Sequence, residues 1–358
     1  MSNPPPAPPA TAVVVVAPGD LQGFVRELFE RAGMPAGHAR TVADVLVWAN
    51  LRGIDSHGVL RIPRYVEMID TGVVNPEATI TIRTETPAAL LIEADRAIGP
   101  VALTFAMRAA AGKAREAGVG LAFVRATTHT AALGYYTLKA AEEGLAAIAL
   151  AGSWPNMAYH GARAAGVSTS PISIAVPRAD GAPVVLDMGT GVVAVGKLTQ
   201  ARKTGQPIPP GWALDGDGNP TTDPARAEIP LPLGGPKGSG LALMFELITS
   251  LIVANPILAD HLDGTPGGQR HKQNALALAI DIARFTDLAS FRKEVDRLVR
   301  ILKGLPRDPA VLEILMPGER GHRTLQQRTR QGIPIPRAIM NDLASLARKF
   351  GLTPPGSG

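Results

Sequence analysis

The sequence predicts an α/β (α+β) protein: a mixed β-sheet unit in the middle of the chain, flanked by a helical part built from both chain ends. Three observations carry that expectation. Hydrophobic residues make up 46% of 358 positions, enough for a sizeable core. Apolar residues recur at helical spacing near both ends, whereas short alternating or wholly apolar runs crowd the middle. Helical stretches separate those runs, as they do where helices pack on a sheet.

Taken in order, residues 1–10 read as a disordered proline-rich tail and TAVVVVA as a first strand. The start is not a signal peptide, because it lacks a basic segment and its apolar run is short. Asp20 can cap a helix, LQGFVRELFERAG, that Gly33 closes. Val42, Val45, Leu46 and Ala49 predict a second helix over about 36–51. A third helical stretch contains DSHGVLRIPRY, residues 55–65, with Pro63 as a kink and Gly72 as its end. ATITIRTE alternates as a half-buried strand does, and AALLIEAD reads as its partner. GPVALTFAMRAAAGKAREAG is an alanine-rich helix ending at Gly118.

Next, VGLAFVRAT and LAAIALAG are short buried strands either side of a helix, ALGYYTLKAAEEG; VSTSPISIAVPR and APVVLDM add further strands. LALMFELITSLIVAN is an apolar helix suited to packing on the sheet, and NALALAIDIARF is a central strand. LASFRKEVDRLVRILKG is amphipathic, with Phe291, Val295, Leu298 and Leu302 on its inner face. From about Pro317 a loop and two helices follow.

Composition excludes several classes. The absence of cysteine removes disulfides, thiolate metal sites and a cysteine nucleophile, and it suits a reducing cytoplasm. No apolar run is long enough to cross a bilayer, so no membrane partner is expected. The net charge of +5 comes from dispersed basic residues, and aromatics are only 4%, a poor match to nucleic-acid binding and a better one to small anionic ligands.

The usual nucleotide fingerprints fail. GTGVVAVG does not have the G-x-G-x-x-G spacing, and GGPKGSG does not complete a P-loop, which argues against both classical nucleotide folds. Lys237, between glycines before a long helix, is either an anion site or a solvated lysine in a glycine-rich turn. His129 ends a buried strand just before a helix; it is either an acid/base group or a hydrogen-bonded structural histidine. His57, Arg61 and Tyr65 are four residues apart, so on a helix they would share a face, either a solvated stripe or one wall of a site for a small acid. Arg61 would fork onto a carboxylate, or else pair with Glu67 or Asp70. The other histidines, at 38, 160, 261, 271 and 322, form no metal-binding spacing, so no metal is expected.

Together RGIDSHGVLRIPRY, the histidine before G-Y-Y, VVLDM, GWALDGDGNPTTDPARA and LPLGGPKGSGLALM resemble the type 2 malate/L-lactate dehydrogenase family, which includes ureidoglycolate and sulfolactate dehydrogenases and cyclic imino-acid reductases. The resemblance runs in order from about residue 20 to 350. It implies a non-Rossmann oxidoreductase using NAD or NADP on a small carboxylate substrate, and a homodimer. It also implies a helical, substrate-side domain from residues 11–80 and 300–358 and an α/β cofactor-binding domain from 81–299. By motif match, His129 takes the place of the family's proton donor and acceptor, and His57, Arg61 and Tyr65 that of its substrate-side residues. Ser153, Asp187, Met188, Gly189 and Lys237 fall where the family holds the dinucleotide.

Four departures cluster in the site loops. His129-Thr130-Ala131 replaces His-Phe-Gly, and Ser168-Thr169-Ser170-Pro171 replaces Gly-Thr-Asn-Pro. Val195 stands for an arginine, and Trp154 for the asparagine after Ser153. They leave a second reading, in which the scaffold has been turned to a non-redox reaction or to binding alone.

Overall fold

The computed structural model of the protein describes residues 13–265 and 272–356. The expected proline-rich tail, the first two residues of TAVVVVA and His271 lie outside the described residues.

The four valines Val13–Val16 form strand β1, as their branched side chains favour. Helix α1, Pro18–Arg31, starts earlier than expected: proline in its first turn forfeits only an N–H that has no helical partner. Asp20 therefore lies inside that turn rather than at the cap. Gly33 adopts a φ of 94° beyond the helix end. Helix α2, Ala36–Leu51, has the expected bounds and buries Val42, Val45, Leu46 and Ala49.

The third stretch is not one kinked helix. Two 3-10 turns, Asp55–His57 and Val59–Arg61, precede helix α3, Ile62–Asp70, which Pro63 opens rather than bends. Gly58 separates the turns because a Cβ there would collide with the side chain of Asn50.

The middle of the chain runs β2 (Thr81–Glu85), β3 (Ala89–Glu93), α4 (Gly99–Ala117), β4 (Val119–Thr127), α5 (Gly134–Glu142) and β5 (Leu145–Ser153). A small ribbon, β6 (Met157–Ala158) with β7 (Ala165–Val167), precedes β8 (Ile172–Val176) and β9 (Val184–Met188). An excursion holds α6 (Val195–Thr204) and the short strands β10 (Ala213–Leu214), β11 (Pro220–Thr221) and β12 (Ile229–Pro230), with a minor core of Val193, Leu198, Ile208 and Ala213. Then come α7 (Pro236–Glu246), a π turn (Leu247–Leu251), α8 (Leu258–Leu262), β13 (Gln273–Asp281), α9 (Leu288–Lys303), α10 (Glu319–Gln331), β14 (Ile333–Pro336) and α11 (Arg337–Phe350).

The seven-stranded sheet has the order β2-β3-β4-β13-β5-β8-β9. Only β3 and β4 pair in parallel, joined by α4; β13 returns from far along the chain to lie between β4 and β5, the central place expected of it. Ala275, Ala277 and Ala279 turn one face toward α4, and Leu150, Leu276 and Phe245 form a separate cluster on the other. The largest core runs without a break from α1, α2, α3 and α11 through α4 into the sheet.

Several expectations fail for physical reasons. All five residues of β2 are exposed rather than half-buried, because it is the sheet's edge. In α9 the buried residues are Asp296 and Val299, while Leu298 is 56% exposed. Asp296 sets that rotation by accepting from Arg178 and from the N–H groups of Ala179 and Asp180. The apolar run after GGPKGSG breaks at the π turn because buried Glu246 accepts from Ser250 and from the N–H groups of Ile257 and Leu258. Strand β14, missed in Ile-Pro-Ile-Pro, pairs antiparallel with β1 and ties the two chain ends together. Every second N–H of such a two-stranded ribbon faces away from its partner, which accommodates Pro334 and Pro336.

Helix α4 approaches β4 so closely that a Cβ on Gly120 would strike the Ala110 carbonyl oxygen. Gly120→Ala is expected to cost at least about 2 kcal/mol, since the obstacle is backbone and cannot swing aside. Urea unfolding reads this as a lower midpoint; an unchanged midpoint would contradict the packing.

Candidate active site

Strand register gathers the predicted residues at one end of the sheet. Thr127, Gln273 and Ser153 lie side by side across β4, β13 and β5, and Leu150, Ile172 and Met188 do so across β5, β8 and β9. His129 follows β4, and Gly189 follows β9, at that same end. A bulge turns β4 toward His129: Ala126 has a φ of 58°, and its N–H is taken by the side chain of buried Asn274 at 3.0 Å. Gly99, the first residue of α4, abuts the His129 carbonyl so closely that a Cβ would collide with it.

Helix α3 supplies the partner. The Tyr65 hydroxyl lies 2.6 Å from His129 Nδ1. Burial raises the phenol's pKa, more than offsetting Arg61, so Tyr65 stays protonated. The Ala131 N–H also points to Nδ1 at 3.4 Å, which makes Nδ1 the acceptor and Tyr65 the donor. Neutral His129 then carries its proton on Nε2, because Nδ1 is the acceptor. His57 faces His129 with ring planes 21° apart and centroids 5.6 Å apart. Burial, and secondarily the charge of Arg61, push its pKa down to about 4, so it is neutral at pH 7.

Arg61 is half-buried, and its Nε donates to the Ser56 carbonyl at 2.7 Å. The carboxylates that might have neutralised it are engaged elsewhere: Glu67 with Arg64, and Asp70 with Lys349. Among the described residues no carboxylate lies within ion-pair distance of Arg61. His57, Arg61 and Tyr65 do converge, but through two turns and a helix start rather than along one helical face.

Sequence reasoning missed what holds those turns. Asn50 accepts the Val59 N–H at 2.8 Å and donates to Asp55 at 2.7 Å; Arg328, from α10, reaches the same Asp55 oxygen at 2.7 Å. The one local signal was Asn50, a polar residue closing an apolar helix. Nothing in the sequence links Arg328 to it.

On the sheet side, Ser153 is buried and accepts from Gln273 Nε2 at 3.1 Å. Asp187 Oδ2 accepts the N–H of Gly134, the first residue of α5, at 2.9 Å, and so anchors the end of the His129 loop. Crowding by protein atoms pushes its pKa up to about 6, against the pull of that N–H and of Arg52, although the residue still has an open side. Thr190, after Gly189, accepts from the Leu233 N–H, which joins this loop to the segment preceding α7.

Lys237 is exposed in the first turn of α7. The backbone around it is largely self-satisfied, with Gly238 N–H bonded to Leu233 and Ser239 N–H to Gly235, so the expected convergence of free N–H groups is absent. The ammonium and the helix dipole remain. Trp154 turns its ring toward His261, 6.3 Å away. Among the described residues no group of three potential ligands could hold a metal, and no helix is long and apolar enough to cross a membrane.

A family model described as malate/L-lactate dehydrogenase matches residues 16–344. The chain belongs to the malate/L-lactate dehydrogenase family. It is 35% identical to malate dehydrogenase of Pyrococcus horikoshii, with 93% of this chain and 94% of that one covered. The structure of that organism's malate dehydrogenase matches with a TM-score of 0.87 and 32% identity over 96% of this chain and 97% of that one. It is also 31% identical to Delta(1)-pyrroline-2-carboxylate/Delta(1)-piperideine-2-carboxylate reductase of Pseudomonas putida, covering 94% and 98% of the two. The relatives are named as dehydrogenases and reductases, and this family member is an oxidoreductase with the mixed α/β fold they share.

The depressed pKa of His57 has a stability signature. The folded state keeps His57 neutral down to about pH 4, whereas the unfolded chain protonates it near 6.5, so acid in that window favours unfolding. His57→Asn removes this term. The variant is expected to gain stability relative to its parent as pH falls from about 6.5 to 4. A pH-independent difference in urea midpoints would contradict the assignment.

Proposed function

We propose that the protein transfers hydride between NAD or NADP and a small carboxylate-bearing substrate, a 2-oxo or 2-hydroxy acid or a cyclic imine, with His129 as proton donor and acceptor. The observation that carries this reading is the 2.6 Å bond from Tyr65 to His129 Nδ1, beside an arginine, Arg61, with no carboxylate partner among the described residues. When bound, the nicotinamide supplies or takes the hydride.

The chain's own residues do the rest. Arg61 fixes the substrate carboxylate with its guanidinium fork. In the reducing direction, cationic His129 gives the Nε2 proton to the developing alkoxide or amine and is left neutral with its proton on Nδ1. In the oxidising direction the ring in that Nδ1–H form takes the proton back at Nε2. Tyr65 serves every state. It donates to Nδ1 when the resting neutral ring is protonated at Nε2, and it accepts from Nδ1–H in the imidazolium and in the neutral ring left after the Nε2 proton has gone. His57, held neutral, adds no second charge beside that cation and can orient the substrate through a hydrogen bond.

Ser153, Asp187, Met188, Gly189 and Lys237 are assigned to the cofactor. Two buried polar atoms at this end of the sheet, Gln273 Oε1 and Ser170 Oγ, have no partner among the described residues, which fits a site completed by a polar ligand. In this reading residues 11–80 and 300–358 form the substrate side and residues 81–299 the cofactor side. A homodimer is supported by Leu241, Met244, Leu251 and Ile252, exposed along α7 and the turn after it. Residence in the cytoplasm is supported by the cysteine-free sequence.

Titration with NADH and NADPH, followed by energy transfer from tryptophan, tests the reading and selects the cofactor. Saturable binding is expected, with loss of reduced-nicotinamide absorbance on adding an oxo acid or cyclic imine; no binding to a folded protein would refute it. His129→Ala is expected to lower turnover on the order of 10²–10⁴-fold while cofactor binding is kept. Arg61→Ala is expected to raise KM for acid substrates by about ten- to a hundredfold, as loss of a charge-assisted pair does. Undiminished turnover in the histidine variant would remove this mechanism.

A further inference from the structure

We propose that Gln273 recognises the carboxamide of the nicotinamide ring, accepting a hydrogen bond from its amino group; this rests on the nicotinamide reading above. Gln273 opens β13 with Thr127 on one side and Ser153 on the other, and Thr127 is two residues before His129. It is 9% exposed. Its Nε2 donates to Ser153 Oγ at 3.1 Å, while its Oε1 has no partner among the described residues. A buried acceptor left unmet costs more than an ordinary hydrogen bond contributes. Such an atom at the end of the sheet that bears His129 marks a site completed by a donor from outside the chain.

Position in the sheet narrows the donor. Successive side chains point to opposite faces. Asn274 faces the π turn after α7, where it donates to Ser250 Oγ, so Gln273 faces the other way. That other face carries Ala275 and Ala277, packed in the core with α4, and the first residue of α4 abuts the His129 carbonyl. Oε1 of Gln273 is therefore on the same face, and at the same end, as the His129 loop.

An acceptor cannot pair with ionised phosphate or carboxylate oxygens, which carry no proton. The donors on a nicotinamide dinucleotide are the carboxamide amino group, the ribose hydroxyls and the adenine amine. The ring carbon that exchanges hydride must contact the substrate that His129 protonates, and the carboxamide is attached to the adjacent ring carbon. It is thus the donor tied to the reacting end. Ser153 acts through Gln273 in this arrangement: by taking Nε2 it leaves Oε1 as the end presented to the ring.

The test compares the natural cofactor with its 3-acetylpyridine analogue, which keeps the carbonyl and loses the amino group. Binding to the full chain is read by calorimetry, using whichever of NADH and NADPH binds more tightly. The unmodified protein is expected to favour the natural cofactor about tenfold or more, the worth of one buried hydrogen bond. Gln273→Met is expected to weaken the natural cofactor to the level of the analogue, leave the analogue unchanged, and bring the ratio near one. A ratio near one in the unmodified protein, or a preserved ratio in the variant, overturns the proposal. Should the variant not fold, the ratio in the unmodified protein decides. Failure to bind either natural cofactor would sink the nicotinamide reading itself, whereas tight binding without discrimination would sink only the role of Gln273.

Discussion

The hydrogen bond between Tyr65 and His129 joins two parts of the chain that have no local reason to meet. One comes from a helix near the N-terminus and the other from the end of a sheet strand, and a useful bond between them tolerates only a few tenths of an ångström. Much of the surrounding structure serves that tolerance. The unbroken core from α1 and α2 through α4 docks the helical part on the sheet. Gly58 lets the 3-10 turns fold over Asn50, and Gly99 lets α4 start against the His129 carbonyl. Asn274, on the far face of the sheet, holds the bulge at Ala126 that sends the chain toward His129.

Burial then sorts the protons. Tyr65 is pushed upward and His57 downward, so neither changes charge near pH 7. Arg61 keeps its charge because a guanidinium does so in any ordinary environment. In the proposed reaction the proton that moves is left to His129, whose Nδ1 has a partner able to donate or accept. Such division of roles among crowded titratable groups is what acid/base catalysis requires of a protein scaffold.

How far this was legible in the sequence depends on the range of the interaction. Helix α2 and the central strand β13 follow from local spacing, and His129 was placed correctly at the end of a buried strand. The residues proposed for the cofactor came from resemblance to the family's motifs, since no periodicity indicates them. The three polar residues 57, 61 and 65 were grouped for the wrong reason: equal spacing suggested one helix face, while the chain breaks at Gly58 and restarts at Pro63. Strand β14 was hidden by its prolines. Contacts such as Arg328 with Asp55 join distant parts of the chain, and only the folded core brings them together.

The central claim is that Tyr65 donates to Nδ1 of His129, and imidazole nitrogen shifts in solution test it most directly. Nitrogen-15 spectra of histidine-labelled protein at neutral pH, with His129 assigned by its own substitution, report which ring nitrogen bears the proton. The account predicts neutral His129 protonated at Nε2, with Tyr65→Phe shifting the Nδ1 resonance toward that of an unbonded nitrogen. A proton on Nδ1 in the unmodified protein, or no response to loss of the phenol, would contradict it.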